Sequence, residues 1–288
     1  MTNTIYSVKP YHRYKTDNRF GNQEYSENMK VCILCGGYGT RIRDVADNIP
    51  KPMIPIGEYP ILWHIMKYYA AWGHDRFVLC LGYKGDIIRD FFFNYRLHTT
   101  DFTIDMSGNS PVDYHTDQTA ESWKVTLAET GQHAMTGARI KKVRRYLCDD
   151  ESFMLTYGDG VGNIDIEKLL AFHNSHGKIL TVTGVRPPGR FGELQCTDNG
   201  LVTEFNEKPQ STGGRISGGF FVCRREIFDY IEDREGTVFE EEPLRNLVSD
   251  HEMMVFKHDG FWQPMDTSRE YKILNQIYEE KKAPWVIW

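Results

Sequence analysis

The stretch from Lys30 to Arg41, KVCILCGGYGTR, constrains the fold more than any other in this 288-residue chain. An apolar run ends in three glycines within four positions, Gly36, Gly37 and Gly39, followed by Thr40 and Arg41. That pattern predicts a buried strand that opens into a tight loop. Glycines let backbone N–H groups approach a ligand closely, and successive N–H groups form a concave anion site. Arg41 and Lys51 supply formal positive charge nearby. An isolated Gly-x-Gly is more often a structural turn. Here the loop is followed by Lys51-Pro52, and phosphate binding is the better reading.

Two common phosphate loops are excluded. A P-loop needs Gly-Lys followed by Ser or Thr, which this chain lacks. The dinucleotide pattern Gly-x-Gly-x-x-Gly would need glycine where Ile42 stands. The loop therefore serves a nucleotide without being a P-loop ATPase or an NAD enzyme.

The net charge of −6 argues against nucleic-acid binding and against a polybasic membrane patch. No apolar run approaches the roughly 18 residues of a membrane span. Residues 1–29 have no apolar core of a signal peptide, so the expected compartment is the cytoplasm. Cys32 and Cys35 form a Cys-x-x-Cys. With Cys32 inside a predicted strand and no second pair at metal spacing, the expectation is buried, reduced thiols.

Apolar runs at Val31–Leu34, Phe77–Leu81, Phe153–Tyr157, Ile179–Val185, Gly219–Cys223 and Met253–Phe256 read as strands. Between them Ile61 to Tyr69, introduced by Pro60, and Ile164 to Phe172, with Gly177 beyond, have helical spacing; a last helix is predicted at 269–282. This alternation predicts an α/β fold with a mainly parallel sheet, whose ligands bind beyond the carboxyl ends of the strands. Residues 95–130 break the rhythm with a hairpin signal around Ser107 to Ser110. An inserted hairpin of this kind serves subunit contacts or covers a site, and a homo-oligomer is expected. Residues 1–29 read as an extension and 30–288 as the catalytic domain.

Asp159, between Gly158 and Gly160, follows a predicted strand; Asp266 precedes the last helix. Taken singly, the first is a turn residue and the second a helix cap. Together at a phosphate loop, they suit Mg²⁺, which takes one or two carboxylates plus waters and phosphate oxygens. Glu207-Lys208-Pro209 offers an acceptor for sugar hydroxyls and an ammonium for a phosphate monoester. Gly192 and Gly219 lie in segments where backbone can approach a ligand closely. The basic run Arg139 to Arg145 reads as a solvated helix face whose N-terminus could face a nucleotide.

These blocks, in this order, resemble the sugar-phosphate nucleotidylyltransferases. The likeness runs from about Lys30 to Trp288. It is closest to the branch that transfers a cytidylyl group to glucose 1-phosphate, on Ile61 to Lys67, Gly260 to Thr267 and Lys282 to Trp285. The resemblance implies a Rossmann-like fold, CTP and glucose 1-phosphate as substrates, Mg²⁺ as cofactor, and CDP-glucose and pyrophosphate as products. It implies nucleotide contacts at Leu34, Gly36, Gly37, Gly39, Thr40, Arg41, Thr130, Arg139 and Gly158. Sugar phosphate would meet Gly192, Glu207, Lys208 and Gly219. Arg41, Lys51, Asp159 and Asp266 would carry catalysis, the two aspartates binding the metal. The chain departs from the pattern at residues 1–29 and at Cys35, where alanine is usual. A glycosyltransferase would be expected to carry Asp-x-Asp, and no two aspartates here are two apart.

Overall fold

The structure, a computed structural model, describes residues 28–39, 42, 48–107, 112–115, 121–187, 193–197, 199, 201–206 and 214–288. An eight-stranded sheet forms the centre. Lys30–Leu34 lies between Arg76–Leu81 and Ser152–Tyr157, parallel to both, and Lys124–Glu129 continues the parallel set beyond Arg76–Leu81. On the other side Phe221–Arg224 runs antiparallel to Ser152–Tyr157 and to Leu180–Val185. Met253–His258 pairs parallel with Leu180–Val185, and the short Ile216–Ser217 joins the same strand antiparallel. The sheet is mixed, mainly parallel and Rossmann-like in its order.

Alternation along each strand sends side chains to two cores. Val31, Ile33, Phe77, Leu79, Met154 and Val222 pack with the helix Ile61–Ala71 on one face. Cys32, Leu34, Val78, Cys80, Leu155 and Phe221 pack with Ile140 and Val143 on the other. A sheet covered on both faces needs strands that are largely apolar, with buried threonines such as Thr156 and Thr181 among them, which is why these runs were legible as strands. Each fully buried aliphatic side chain contributes about 1.5–3 kcal/mol.

From Lys30–Leu34 the chain moves outward through two strands, then returns to the other side of it at Ser152–Tyr157. The reversal opens a crevice at the carboxyl ends of these two neighbours. Gly36 follows one and Asp159 the other. The Gly158 N–H donates to the Leu34 carbonyl at 3.0 Å, so the two loops start from a shared point.

Every predicted strand is present, within a residue or two of its expected limits. Lys124–Glu129 is an additional one, inside the segment read as a break. It is an edge strand with exposed ends, so its residues lack the unbroken apolar character of the central strands. The inserted hairpin is present as Phe102–Thr103 paired with Asp113–Tyr114; its tip lies outside the described residues. The predicted thiols are buried and reduced: Cys32, Cys35 and Cys80 are free, and burial raises Cys35 well above the usual thiol range. The hydrogen bond with Cys80, together with burial, does the same for Cys32. Among the described residues no helix is long and apolar enough to cross a membrane.

The helix Ile166–His176 starts on Asp165, whose carboxylate accepts from the Lys168 N–H at 2.9 Å, and stops at Gly177 with φ 67°. Only glycine adopts that left-handed conformation at no steric cost. Gly177→Ala should therefore destabilise the protein by about 1 kcal/mol, read by urea unfolding. An unchanged midpoint would show that the turn relaxes. At the far end Trp285, fully buried, points its Nε1 at His64 Nδ1 at 3.4 Å, while the other nitrogen of His64 bonds the Ile56 carbonyl at 2.9 Å. Burial lowers the His64 pKa to about 4, so the ring stays neutral and holds the C-terminal segment onto the first helix.

Candidate active site

The crevice holds a cavity of about 370 Å³ lined by Leu34, the loop from Cys35 to Gly39, Lys51, Thr136, Arg139, Tyr157, Gly158, Asp159 and Asp266. Its rear wall is set by Arg139. This guanidinium is buried, yet the described residues give it no carboxylate. It donates instead to the carbonyls of Gly36 at 3.0 Å, Leu81 at 3.0 Å and Gly131 at 2.8 Å, and to Thr130 Oγ1 at 2.8 Å. Burial lowers its pKa from the usual arginine value, but five donors in a planar fork keep it cationic and satisfied. Gly36 and Gly82 lie against it so closely that a Cβ on either would approach within 2.2 and 2.3 Å of its Nη1. The sequence reading of this run as a solvated face fails at Arg139. Its partners are backbone carbonyls from other loops, which no local pattern reveals. The glycine loop is thus clamped from behind by a fixed positive charge.

The two carboxylates are brought together by pairing across the chain. Trp262–Pro264 forms an antiparallel ribbon with Gly160–Gly162, with Pro264 opposite Gly160. The Met265 N–H extends that ladder to the Asp159 carbonyl at 2.8 Å, and Asp266 follows immediately. Thr267, rather than Asp266, caps the last helix: its hydroxyl and the Glu270 carboxylate form a reciprocal capping box. Asp266 is therefore spared the structural duty that competed for it. Both carboxylates accept hydrogen bonds from Lys51 Nζ, that to Asp159 at 2.5 Å. Lys51 projects from a 3₁₀ turn, Lys51–Met53, whose course is fixed by Pro50 and Pro52. Burial works to lower the pKa of its ammonium, but the two carboxylates outweigh that effect and hold it above the usual lysine range.

Lys51→Met would leave two carboxylates facing one another without their shared cation. Its melting temperature in chelator should fall, by roughly 2–4 °C for each kcal/mol lost, and recover in part on adding Mg²⁺. A variant as stable as wild type in chelator would show that Lys51 does not hold the pair.

A model of the nucleotidyl transferase family matches residues 30–280. The chain belongs to that family. It is 48% identical over 260 residues to glucose-1-phosphate cytidylyltransferase of Salmonella typhi, covering 90% of this chain and 100% of that protein. The probable glucose-1-phosphate cytidylyltransferase of Bacillus subtilis strain 168 is 42% identical over the same length. Among solved structures, HddC from Yersinia pseudotuberculosis superposes with a TM-score of 0.62 at 24% identity, covering 87% of this chain and 99% of that one. That likeness concerns the fold.

In this nucleotidyl transferase, Leu34, Gly36, Gly37, Gly39, Lys51, Arg139, Gly158, Asp159 and Asp266 line one cavity. Thr130 stands behind Arg139 and supports it. Gly219, with φ 73°, lies behind Tyr157; a Cβ there would come within 3.0 Å of the Tyr157 ring. Thr40, Arg41, Gly192, Glu207 and Lys208 lie outside the described residues. The donor set fits Mg²⁺. Among the described residues no group of three or more His, Cys, Asp or Glu converges, whereas two carboxylates that already share one cation leave positions for phosphate oxygens and waters.

Tyr38 and His133, which line the cavity, and Glu240, which bonds two lining residues, escaped the sequence reading. Tyr38 and His133 share a hydrogen bond of 2.7 Å across the cavity. Tyr157 donates to Glu240, which also accepts from Thr136 Oγ1 at 2.5 Å. Burial, then the Glu240 charge, raises the Tyr157 pKa, so the phenol stays protonated as a donor. Tyr38 stood in plain view within the glycine loop; His133 and Glu240 carry no local signal.

Proposed function

We propose that the chain transfers the cytidylyl group of CTP to α-D-glucose 1-phosphate, forming CDP-glucose and pyrophosphate. One observation carries this reading: a glycine loop, a lysine and two aspartates converge at the carboxyl ends of adjacent parallel strands, in a chain 48% identical to a named glucose-1-phosphate cytidylyltransferase.

A phosphate oxygen of glucose 1-phosphate is already an anionic nucleophile, so no general base is needed. It attacks the α-phosphorus of CTP; a new O–P bond forms, the bond to the bridging α,β-oxygen breaks, and that electron pair leaves with pyrophosphate. The chain's task is to bring two anions together and to stabilise charge on the leaving group, which is positioning and electrostatics. The backbone of Gly36 to Gly39 cradles the triphosphate, and Thr40 and Arg41 are further phosphate-binding residues. Arg139 holds the loop in shape. Lys51 turns from the carboxylates to the phosphates when the nucleotide arrives. Asp159 and Asp266 hold Mg²⁺, which supplies charge neutralisation on the phosphate oxygens. Glu207 and Lys208, with Gly192, receive the sugar phosphate.

Pyrophosphate release with glucose 1-phosphate and Mg²⁺, compared among CTP, UTP, dTTP, ATP and GTP, tests the substrate assignment. The expected result is strong preference for CTP. Efficient turnover with another nucleotide instead would keep the chemistry and refute the cytidylyl assignment.

A further inference from the structure

A second cavity, of about 350 Å³, has only Asp266 in common with the loop cavity. Its apolar wall comprises Trp262, Pro187, Ile216 and Ile273, with Trp262 held in place by donation from its Nε1 to the Gly218 carbonyl at 2.8 Å. Three charged side chains reach it: Asp266, Glu270 and Arg269. Asp266 is engaged by Lys51, and Glu270 accepts from the backbone N–H groups of Asp266 at 2.7 Å and Thr267 at 3.0 Å. Arg269 has no hydrogen-bond or ion partner among the described residues. It also sits in the first turn of Ser268–Glu279, where the helix dipole disfavours a cation and the capping box already supplies the favoured carboxylate. Arg269 is itself exposed, so its guanidinium stays solvated and open to a ligand that enters the cavity.

In-line displacement brings the acceptor phosphate to the side of the α-phosphorus opposite the departing pyrophosphate. With the triphosphate in the loop cavity, a neighbouring cavity that meets it only at a metal-binding carboxylate is where a second anion would arrive. We propose that Arg269 is a binding residue for the acceptor: its guanidinium grips the phosphate monoester of the sugar 1-phosphate, while Trp262 and its apolar neighbours face the sugar ring. A guanidinium suits this task because its paired donors match two phosphate oxygens. The inference rests on the nucleotidyl-transfer reading above.

Calorimetric titration of glucose 1-phosphate into the wild-type enzyme and Arg269→Gln, alongside steady-state kinetics of both, tests it. Loss of a charge-assisted pair should weaken glucose 1-phosphate binding, and raise its KM, by about tenfold or more. The KM for CTP should stay within about twofold, and Arg269→Lys should recover part of the loss. A folded Gln variant that binds glucose 1-phosphate like wild type, or one whose two KM values rise together, would overturn the proposal. So would a wild type that does not bind glucose 1-phosphate at all. A wild type that binds it but releases no pyrophosphate with any nucleotide would instead refute nucleotidyl transfer, while the calorimetric difference would still report on Arg269.

Discussion

Asp159→Asn should abolish most nucleotidyl transfer while leaving the fold intact. The fold survives because Asp159 holds the Trp262–Pro264 ribbon through its backbone carbonyl, which accepts from Met265, and not through its side chain. The side chain is part-exposed and engages only Lys51 among the described residues. An amide keeps the shape and can still accept from the ammonium, but it loses the charge that suits a divalent cation. Removing a single preorganised electrostatic element from a phosphoryl-transfer site costs on the order of a hundredfold or more in turnover. The half-saturating Mg²⁺ concentration should rise with it. Turnover near that of wild type, in a variant with an unchanged melting temperature, would refute the metal assignment.

The second large effect belongs to Gly36→Ala. The added Cβ would lie 2.2 Å from Arg139 Nη1 and 2.3 Å from its Cζ. The guanidinium has nowhere to retreat: Gly82 closes its other side, and the carbonyls of Leu81, Gly131 and Gly36 hold it in place. Either the glycine loop lifts or a buried cation loses hydrogen bonds. The expected loss is about 2–3 kcal/mol of stability and tenfold or more in CTP affinity, read by chemical unfolding and by titration. Gly37→Ala is the control for stability, since its Cβ meets nothing within 4 Å. A Gly36→Ala enzyme with wild-type stability and CTP affinity would show that the clamp does not exist.

The sheet was legible because its central strands are buried on both faces, so Val31 to Leu34 and Phe153 to Tyr157 had to be largely apolar. Lys124–Glu129 was missed for the opposite reason, as an edge strand that can mix Lys124 and Glu129 with Val125 and Leu127. The glycine loop and Asp159 could be found locally, since close backbone approach and a strand-end carboxylate leave residue-level marks. Asp266 was ambiguous until Thr267 proved to be the helix cap. The proximity of Asp159 and Asp266, 107 positions apart, depends on a ribbon register, and the burial of Arg139 depends on carbonyls from Gly36, Leu81 and Gly131. Both are products of tertiary pairing, which a single sequence does not encode in any local window.

Phosphorus NMR of CTP, glucose 1-phosphate and Mg²⁺ with the purified chain tests the central claim most directly. Direct transfer predicts that the three CTP resonances give way to the two coupled resonances of a nucleoside diphosphate ester and a single pyrophosphate signal, in equal molar amounts, only when both substrates are present. CMP and pyrophosphate formed from CTP alone, with glucose 1-phosphate unconsumed, would contradict it.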